Sequence, residues 1–181
     1  MTYFFLGAPE SGKGTQATKL AQVLQIPYFT MGGYLRERAK SDPAMAEVMN
    51  RGDLLPSETI NRILGELHEA YPDNLIIEGA ARTAEQATAI ATLWGDTGCI
   101  FIFLTISDET IRQRAALRRA PDGTRRADDA PEVVETRIQH YQETMPPILD
   151  AIRQSGVRIV TIDGEPDPET IHQTILSEIT A

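Results

Sequence analysis

The chain has one cysteine in 181 residues, Cys99, which excludes a disulfide framework and a cysteine-based zinc knuckle and fits a reducing cytoplasm. Cys99 opens the apolar run "CIFIFLTI" and reads as core. Lysine is also scarce: Lys13, Lys19 and Lys40 stand against fourteen arginines. The sequence has no run of about 18 apolar residues that could span a membrane. Nor does it show a signal peptide or an amphipathic Arg/Ser-rich leader, so a soluble, cytoplasmic protein is expected. The net charge of −9 argues against a general nucleic-acid or membrane-surface binder, because such proteins present a basic field.

The acidic average hides a basic island. Six arginines fall between positions 112 and 126: Arg112, Arg114, Arg118, Arg119, Arg125 and Arg126. A planar guanidinium matches phosphate oxygens two at a time, so the cluster suits a small phosphorylated ligand. A solvated helix face with acidic neighbours would give the same composition.

A chain of 181 residues, 41% hydrophobic, can bury one substantial core, and a single domain over 1–181 is expected. Short apolar runs at 2–6, 26–30, 74–78, 99–106 and 157–163 alternate with helical patterns at 13–25, 56–71, 83–94, 108–119, 131–154 and 167–179. That alternation predicts an α/β fold, a doubly wound parallel sheet of five strands with helices on both faces in three layers. Residues 31–67 form a helical insert, and residues 119–130, "RAPDGTRRADDA", form a polar loop. Both are expected at the carboxyl edge of the sheet, where open α/β folds bind ligands.

"GAPESGKGT", Gly7 to Thr15, lies between a predicted strand and a predicted helix, the context that gives a phosphate-binding loop its meaning. Glycines let backbone N–H groups converge on phosphate oxygens, the helix N-terminus adds about half a positive charge, and Lys13 supplies a full one. The candidate donor-site residues are Gly7, Pro9, Glu10, Ser11, Gly12, Lys13, Gly14, Thr15 and Gln16. The usual pattern has Ser or Thr directly after the lysine; here Gly14 intervenes and Thr15 follows.

That variant, continued as "GKGTQATKLA", resembles the loop of adenylate kinase and its nucleoside-monophosphate kinase relatives, and further motifs follow in the family's order across nearly the whole chain. "TMGGYLR" is similar to the segment that holds the acceptor nucleotide, which implies acceptor roles for Thr30, Met31 and Gly32 and a phosphate contact for Arg36. "RGDLLPSETI" resembles the stretch that closes over the acceptor base and ribose, with Leu55 in it. "IIEGAARTAEQA" resembles the segment usually written Asp-Gly-Phe-Pro-Arg. The match implies that Gly79 and Arg82 serve the acceptor phosphate and that Gln86 reads an adenine edge. Arg114 and Arg118 match arginines on the donor adenine and triphosphate, Arg126 and Arg137 the pair that grips the transferring phosphoryl group, and Asp128 and Asp129 the acidic pair of the lid. The resemblance makes Lys13, Arg82, Arg118, Arg126 and Arg137 the catalytic set, residues 31–67 the acceptor-binding insert and residues 119–130 a short lid without zinc. It implies small nucleotides as the only partners, Mg²⁺ carried with ATP, and a monomer.

The chemistry is consistent with such a site. The second pKa of a nucleotide phosphate lies near about 6, so at neutral pH the acceptor is largely a dianion and needs no general base. It needs charge neutralisation, in-line alignment and exclusion of water.

The sequence also departs from the family pattern. Gly33 and Glu78 stand where the family has aspartates, the second of which orients Mg²⁺-bound water; Glu78 is expected to reach those waters. The Phe-Pro pair before the arginine is Ala80-Ala81. A cis bond costs an ordinary residue about 3 kcal/mol, so a trans peptide is expected there. Met31 replaces a frequent threonine, which leaves AMP as the expected acceptor and CMP, UMP or dAMP as alternatives. A nucleotide-binding module without turnover is a further alternative. Glu10 replaces a glycine, and its carboxylate is expected to turn outward, toward solvent or an arginine of the lid. His68, His140 and His172 are expected to be structural or exposed, and Arg112, Arg119 and Arg125 to form surface ion pairs.

Overall fold

The computed structural model describes residues 1–50, 55–117 and 130–180. Five parallel strands form one sheet in the order β2-β3-β1-β4-β5. Along the chain the elements are β1 (Thr2–Gly7), α1 (Lys13–Leu24), β2 (Tyr28–Thr30), α2 (Met31–Ala39), α3 (Pro43–Asn50), α4 (Ser57–Ala70), β3 (Ile76–Glu78), α5 (Ala84–Trp94), β4 (Cys99–Thr105), α6 (Asp108–Leu117), α7 (Pro131–Gln154), β5 (Arg158–Asp163) and α8 (Pro168–Thr180). This is the doubly wound α/β fold that the alternation predicts.

Successive side chains of a strand point to opposite faces, and here both faces are covered, so the central strands are largely apolar. Phe4 and Leu6 of β1, Ile77 of β3 and Phe101 and Phe103 of β4 pack with α4, α5 and α7. Tyr3, Phe5, Ile76, Ile100 and Ile102 pack on the other face with α1 and α8. Phe4 lies edge-on to Trp94 and stacked on Phe101, each at 5.2 Å between ring centroids. Cys99 is buried, as expected of core, and burial pushes its thiol up to about 11.

Local chemistry fixes where the helices begin. Thr30, Thr83 and Ser107 accept hydrogen bonds from the backbone N–H groups of Gly33, Gln86 and Thr110, and Asp42 and Asp167 do the same for Met45 and Thr170. β2 and β3 begin two residues later than the apolar runs suggest. Pro27 has no N–H to donate, although its carbonyl still accepts from Ile76, and Asn74 takes a left-handed φ of 55° that breaks extension. α1 stops at Gln25, also left-handed at φ 55°.

Register brings the strand ends together. Phe5 and Thr30 both lie opposite Glu78, and Gly7 lies opposite Leu104. The loops leaving β1, β2 and β3 therefore share one edge of the sheet, with the start of α7 alongside.

Candidate active site

The loop from β1 to α1 owes its path to two glycines. A Cβ on Gly7, whose φ is +143°, would lie 2.3 Å from the Leu104 carbonyl oxygen, so no other residue fits without moving β4. Gly12, at φ 86°, turns the chain into α1, whose first turn has no acidic residue and no side-chain cap. The N–H groups at that terminus face a site suited to an anion. Lys13 Nζ donates to the carbonyls of Gly7 at 3.0 Å and Ala8 at 2.6 Å. Burial lowers its ammonium pKa from 10.5 to about 8, against the opposing pull of Glu78 and Glu10.

Glu10 occupies the left-handed region at φ 59°, a conformation that costs a residue with a Cβ about 1–2 kcal/mol. Its carboxylate does not turn to solvent. The side chain is 11% exposed and Oε1 accepts from Arg137 Nη2 of α7 at 3.2 Å. The solvent-facing orientation expected from sequence is corrected, because the guanidinium of Arg137 attracts the carboxylate; the lid arginines named in the same expectation lie outside the described residues. Arg114 Nη1 donates to the backbone carbonyl of Glu10 at 3.2 Å, and its Nη2 to Gly164 at 2.8 Å, which ties α6 to the same loop.

Of the other loop residues, Ser11 is fully buried and Pro9 lines the cleft described below, whereas Gln16 is not brought in. Gln16 is 1% exposed and its Nε2 donates to the Pro168 carbonyl at 2.9 Å, so this side chain joins α1 to the start of α8. Thr15 is solvent-exposed at the start of α1. Gly14 lies under Glu78, where an added Cβ would be 3.3 Å from Oε2.

Two cavities meet at the exit of β3. The smaller, about 210 Å³, is lined by Met31, Gly32, Arg36, Leu55, Gly79, Ala80, Arg82 and Gln86, together with Leu35, Met49 and Ile60. The larger, about 550 Å³, lies between the phosphate loop and α7 and includes Gly7, Lys13, Glu78, Ala81 and Arg137. Gly79 and Arg82 line both. Gln86 is 4% exposed and its Oε1 accepts from the Arg82 backbone N–H at 2.8 Å, so it fixes the path of the arginine as well as facing the smaller cavity.

Thr30 lies outside both cavity linings and instead caps α2. That cap accounts for Gly33, since a Cβ there would lie 2.5 Å from Thr30 Oγ1. The Ala80–Ala81 peptide is trans, and both residues are buried. Ala80 fronts the smaller cavity and Ala81 the larger.

Glu78 is held from β2: Tyr28 Oη donates to its Oε2 at 2.6 Å. The Glu78 carboxylate, beside Lys13 and the loop, suits a cation whose remaining ligands are water and phosphate oxygens. Among the described residues, no group of three or more His, Cys, Asp or Glu side chains comes together to hold a metal.

Some expectations concern residues 118–129. Arg118, Arg119, Arg125, Arg126, Asp128 and Asp129, and with them most of the 119–130 lid, lie outside the described residues. Arg112 forms the expected ion pair, with two contacts to Glu135 at 2.6 and 2.9 Å. His172 is buried, His68 stands edge-on to Trp94 at 4.8 Å and His140 is exposed, all as expected; His140 also lines the larger cavity. With Thr136, Tyr141 and Thr144 it forms a face of α7 around Arg137 that the sequence reading missed. For His140, Tyr141 and Thr144, spacing of three, four and seven residues from Arg137 was the available signal.

The family model for adenylate kinase matches residues 5–157. An adenylate kinase of Deinococcus radiodurans is 32% identical over an alignment of 189 positions, covering 96% of this chain and 93% of its own. Those of Thermus thermophilus and a Cyanothece species are 31% and 34% identical, covering 94% and 91% of this chain and 92% and 87% of their own. Similarity of this extent runs through the loop, the β3 exit and α7, the segments that build the two joined cavities. The chain belongs to the adenylate kinase family and is a nucleoside-monophosphate kinase.

Proposed function

We propose that the protein moves the γ-phosphoryl group of MgATP to AMP, giving two molecules of ADP. The observation that carries this reading is the pair Gly79 and Arg82, which line both cavities and so join a compartment for the acceptor to one for the donor phosphates. The smaller cavity, with Arg36 and Arg82 at its polar side and Gln86 behind them, takes the monophosphate, and residues 31–67 act as its binding insert. The larger takes the polyphosphate end of ATP, and residues 119–130 act as the lid. Lys13, Arg82 and Arg137 gather the negative charge, joined by Arg118 and Arg126 of the lid segment.

A phosphate oxygen of the acceptor attacks the γ-phosphorus. One P–O bond forms, the bond to the bridging oxygen breaks, and ADP leaves with that electron pair. The acceptor arrives as a dianion, so no protein base has to take a proton. Glu78 would hold Mg²⁺ through water, and the ion supplies neutralisation of the donor phosphates when it is bound. The other residues orient the groups and exclude water, which would otherwise compete as acceptor.

Met31 and Ala80, in place of the threonine and phenylalanine of the family pattern, favour a second reading in which CMP, UMP or dAMP is the acceptor. A coupled assay with MgATP across a panel of monophosphates tests both. The first reading predicts the highest kcat/KM for AMP, and a higher value for a pyrimidine monophosphate or for dAMP would establish the second.

A further inference from the structure

The loop that cradles phosphate carries an anion of its own. Glu10 is fixed from two sides, with Arg114 of α6 bonded to its backbone carbonyl and Arg137 of α7 to its carboxylate. It sits at φ 59° and its side chain is 11% exposed, compared with 31% for Arg137. A left-handed non-glycine residue with an enclosed carboxylate is a local strain that the neighbouring arginines hold in place. Both arginines belong to the set expected around the donor and transferring phosphates.

We infer that Glu10 is an internal counter-ion that competes with the donor polyphosphate for Arg137, and that it sets donor affinity through this competition. The inference rests on the reading of the larger cavity as the phosphoryl-transfer compartment. Arg137 Nη2 donates to a carboxylate where a phosphate oxygen would otherwise accept. Carboxylate and phosphate both make charge-assisted hydrogen bonds with guanidinium, so the two compete for Nη2 and for the charge of Arg137. A polyphosphate has the advantage of higher charge and of the N–H groups at the start of α1, and it displaces the carboxylate. The displacement costs affinity, and it lets the product leave more readily, because the departing phosphate is replaced by a group already tethered to the loop. Lys13 responds to the same cluster, with Glu10 raising and Arg137 lowering its hold on a proton.

A bystander carboxylate and a competing one differ in what Arg137 does to the effect. If Glu10 merely repelled phosphate, removing Arg137 would leave its charge less compensated, and neutralising Glu10 would then help more. If it competes for Arg137, removing the arginine removes the competition.

The test is a double-mutant cycle on ATP binding, measured by titration calorimetry without acceptor so that no turnover is needed. Glu10→Gln keeps size and hydrogen-bonding capacity but removes the charge. It is expected to tighten ATP binding by about threefold to tenfold, roughly 0.6–1.4 kcal/mol. In an Arg137→Ala background the same change is expected to gain less than half as much in free energy. A parent gain below threefold, a loss, or a gain that is not halved overturns the inference. Thermal unfolding of each variant identifies one that fails to fold, and Arg137→Gln then replaces Arg137→Ala in the cycle. Absence of phosphoryl transfer in the parent protein would refute the kinase reading itself, and that result is distinct from any outcome of the binding cycle.

Discussion

The Tyr28 hydroxyl donates a 2.6 Å hydrogen bond to the Glu78 carboxylate, joining the edge strand β2 to the strand whose exit forms both cavities. Burial, and then this bond, push the Tyr28 phenol above its ordinary pKa, so it stays a donor at any working pH. The bond compensates for the length of Glu78 by anchoring one carboxylate oxygen. Tyr28→Phe is expected to lower stability by about 1–3 kcal/mol, as for a lost hydrogen bond to a charged group, measured by urea unfolding. A change below about 0.5 kcal/mol would show that the contact is not formed in solution.

Glu78→Gln keeps the shape and removes the charge. Turnover is expected to slow and its Mg²⁺ dependence to weaken, read from activity as a function of free Mg²⁺. An unaffected rate would remove Glu78 from the account.

Lys13 gives the pH dependence. Burial holds its pKa at about 8, below the ordinary 10.5, so between those values the folded chain has released a proton that the unfolded chain keeps. The folded state binds fewer protons in that window, so the Lys13 contribution makes stability rise with pH from about 8 to about 10.5. Phosphate reverses the balance by favouring the charged ammonium. ATP binding at pH 8 is therefore expected to take up about half a proton, measured calorimetrically in buffers of different ionisation enthalpy. Uptake near zero would mean that Lys13 is already fully charged in the free protein.

Arg82 lies where the cavities join and is steered by Gln86. Arg82→Ala is expected to lower kcat by about 10²–10³-fold, the range for loss of one positioned electrostatic group, with ATP affinity changed much less. Equal losses in ATP affinity and in kcat would place Arg82 on the donor alone.

Gly33→Asp would restore the carboxylate of the family pattern, but its Cβ would meet Thr30 Oγ1 at 2.5 Å and displace the cap of α2. A loss of about 1 kcal/mol in unfolding free energy is expected. A variant as stable as the parent would show that Thr30 can turn aside at no cost.

The strand order of a wound sheet cannot be read from periodicity, but the elements themselves were legible because both faces of β1, β3 and β4 are covered and their runs are largely apolar. The loop at Gly7 to Thr15 was legible because backbone geometry there restricts residue type, and the cavity lining from Met31 to Gln86 because its segments resemble those of the family. Side-chain partnerships between distant segments were not. Gln16 faces Pro168 across 152 positions and Glu10 meets Arg137 across 127, and only the packing of α8 and α7 brings those pairs together. Tyr28 lies 50 positions from Glu78, and nothing local in "IPYFT" marks it as the residue that holds a carboxylate.

Phosphorus NMR of the protein mixed with MgATP and AMP tests the central claim most directly. The account predicts that the ATP β-phosphate and AMP resonances decline together while ADP resonances grow, with two ADP formed for each AMP consumed, until equilibrium is reached. Unchanged ATP and AMP in a sample that binds a bisubstrate mimic tightly would contradict the account and leave a nucleotide-binding module in its place.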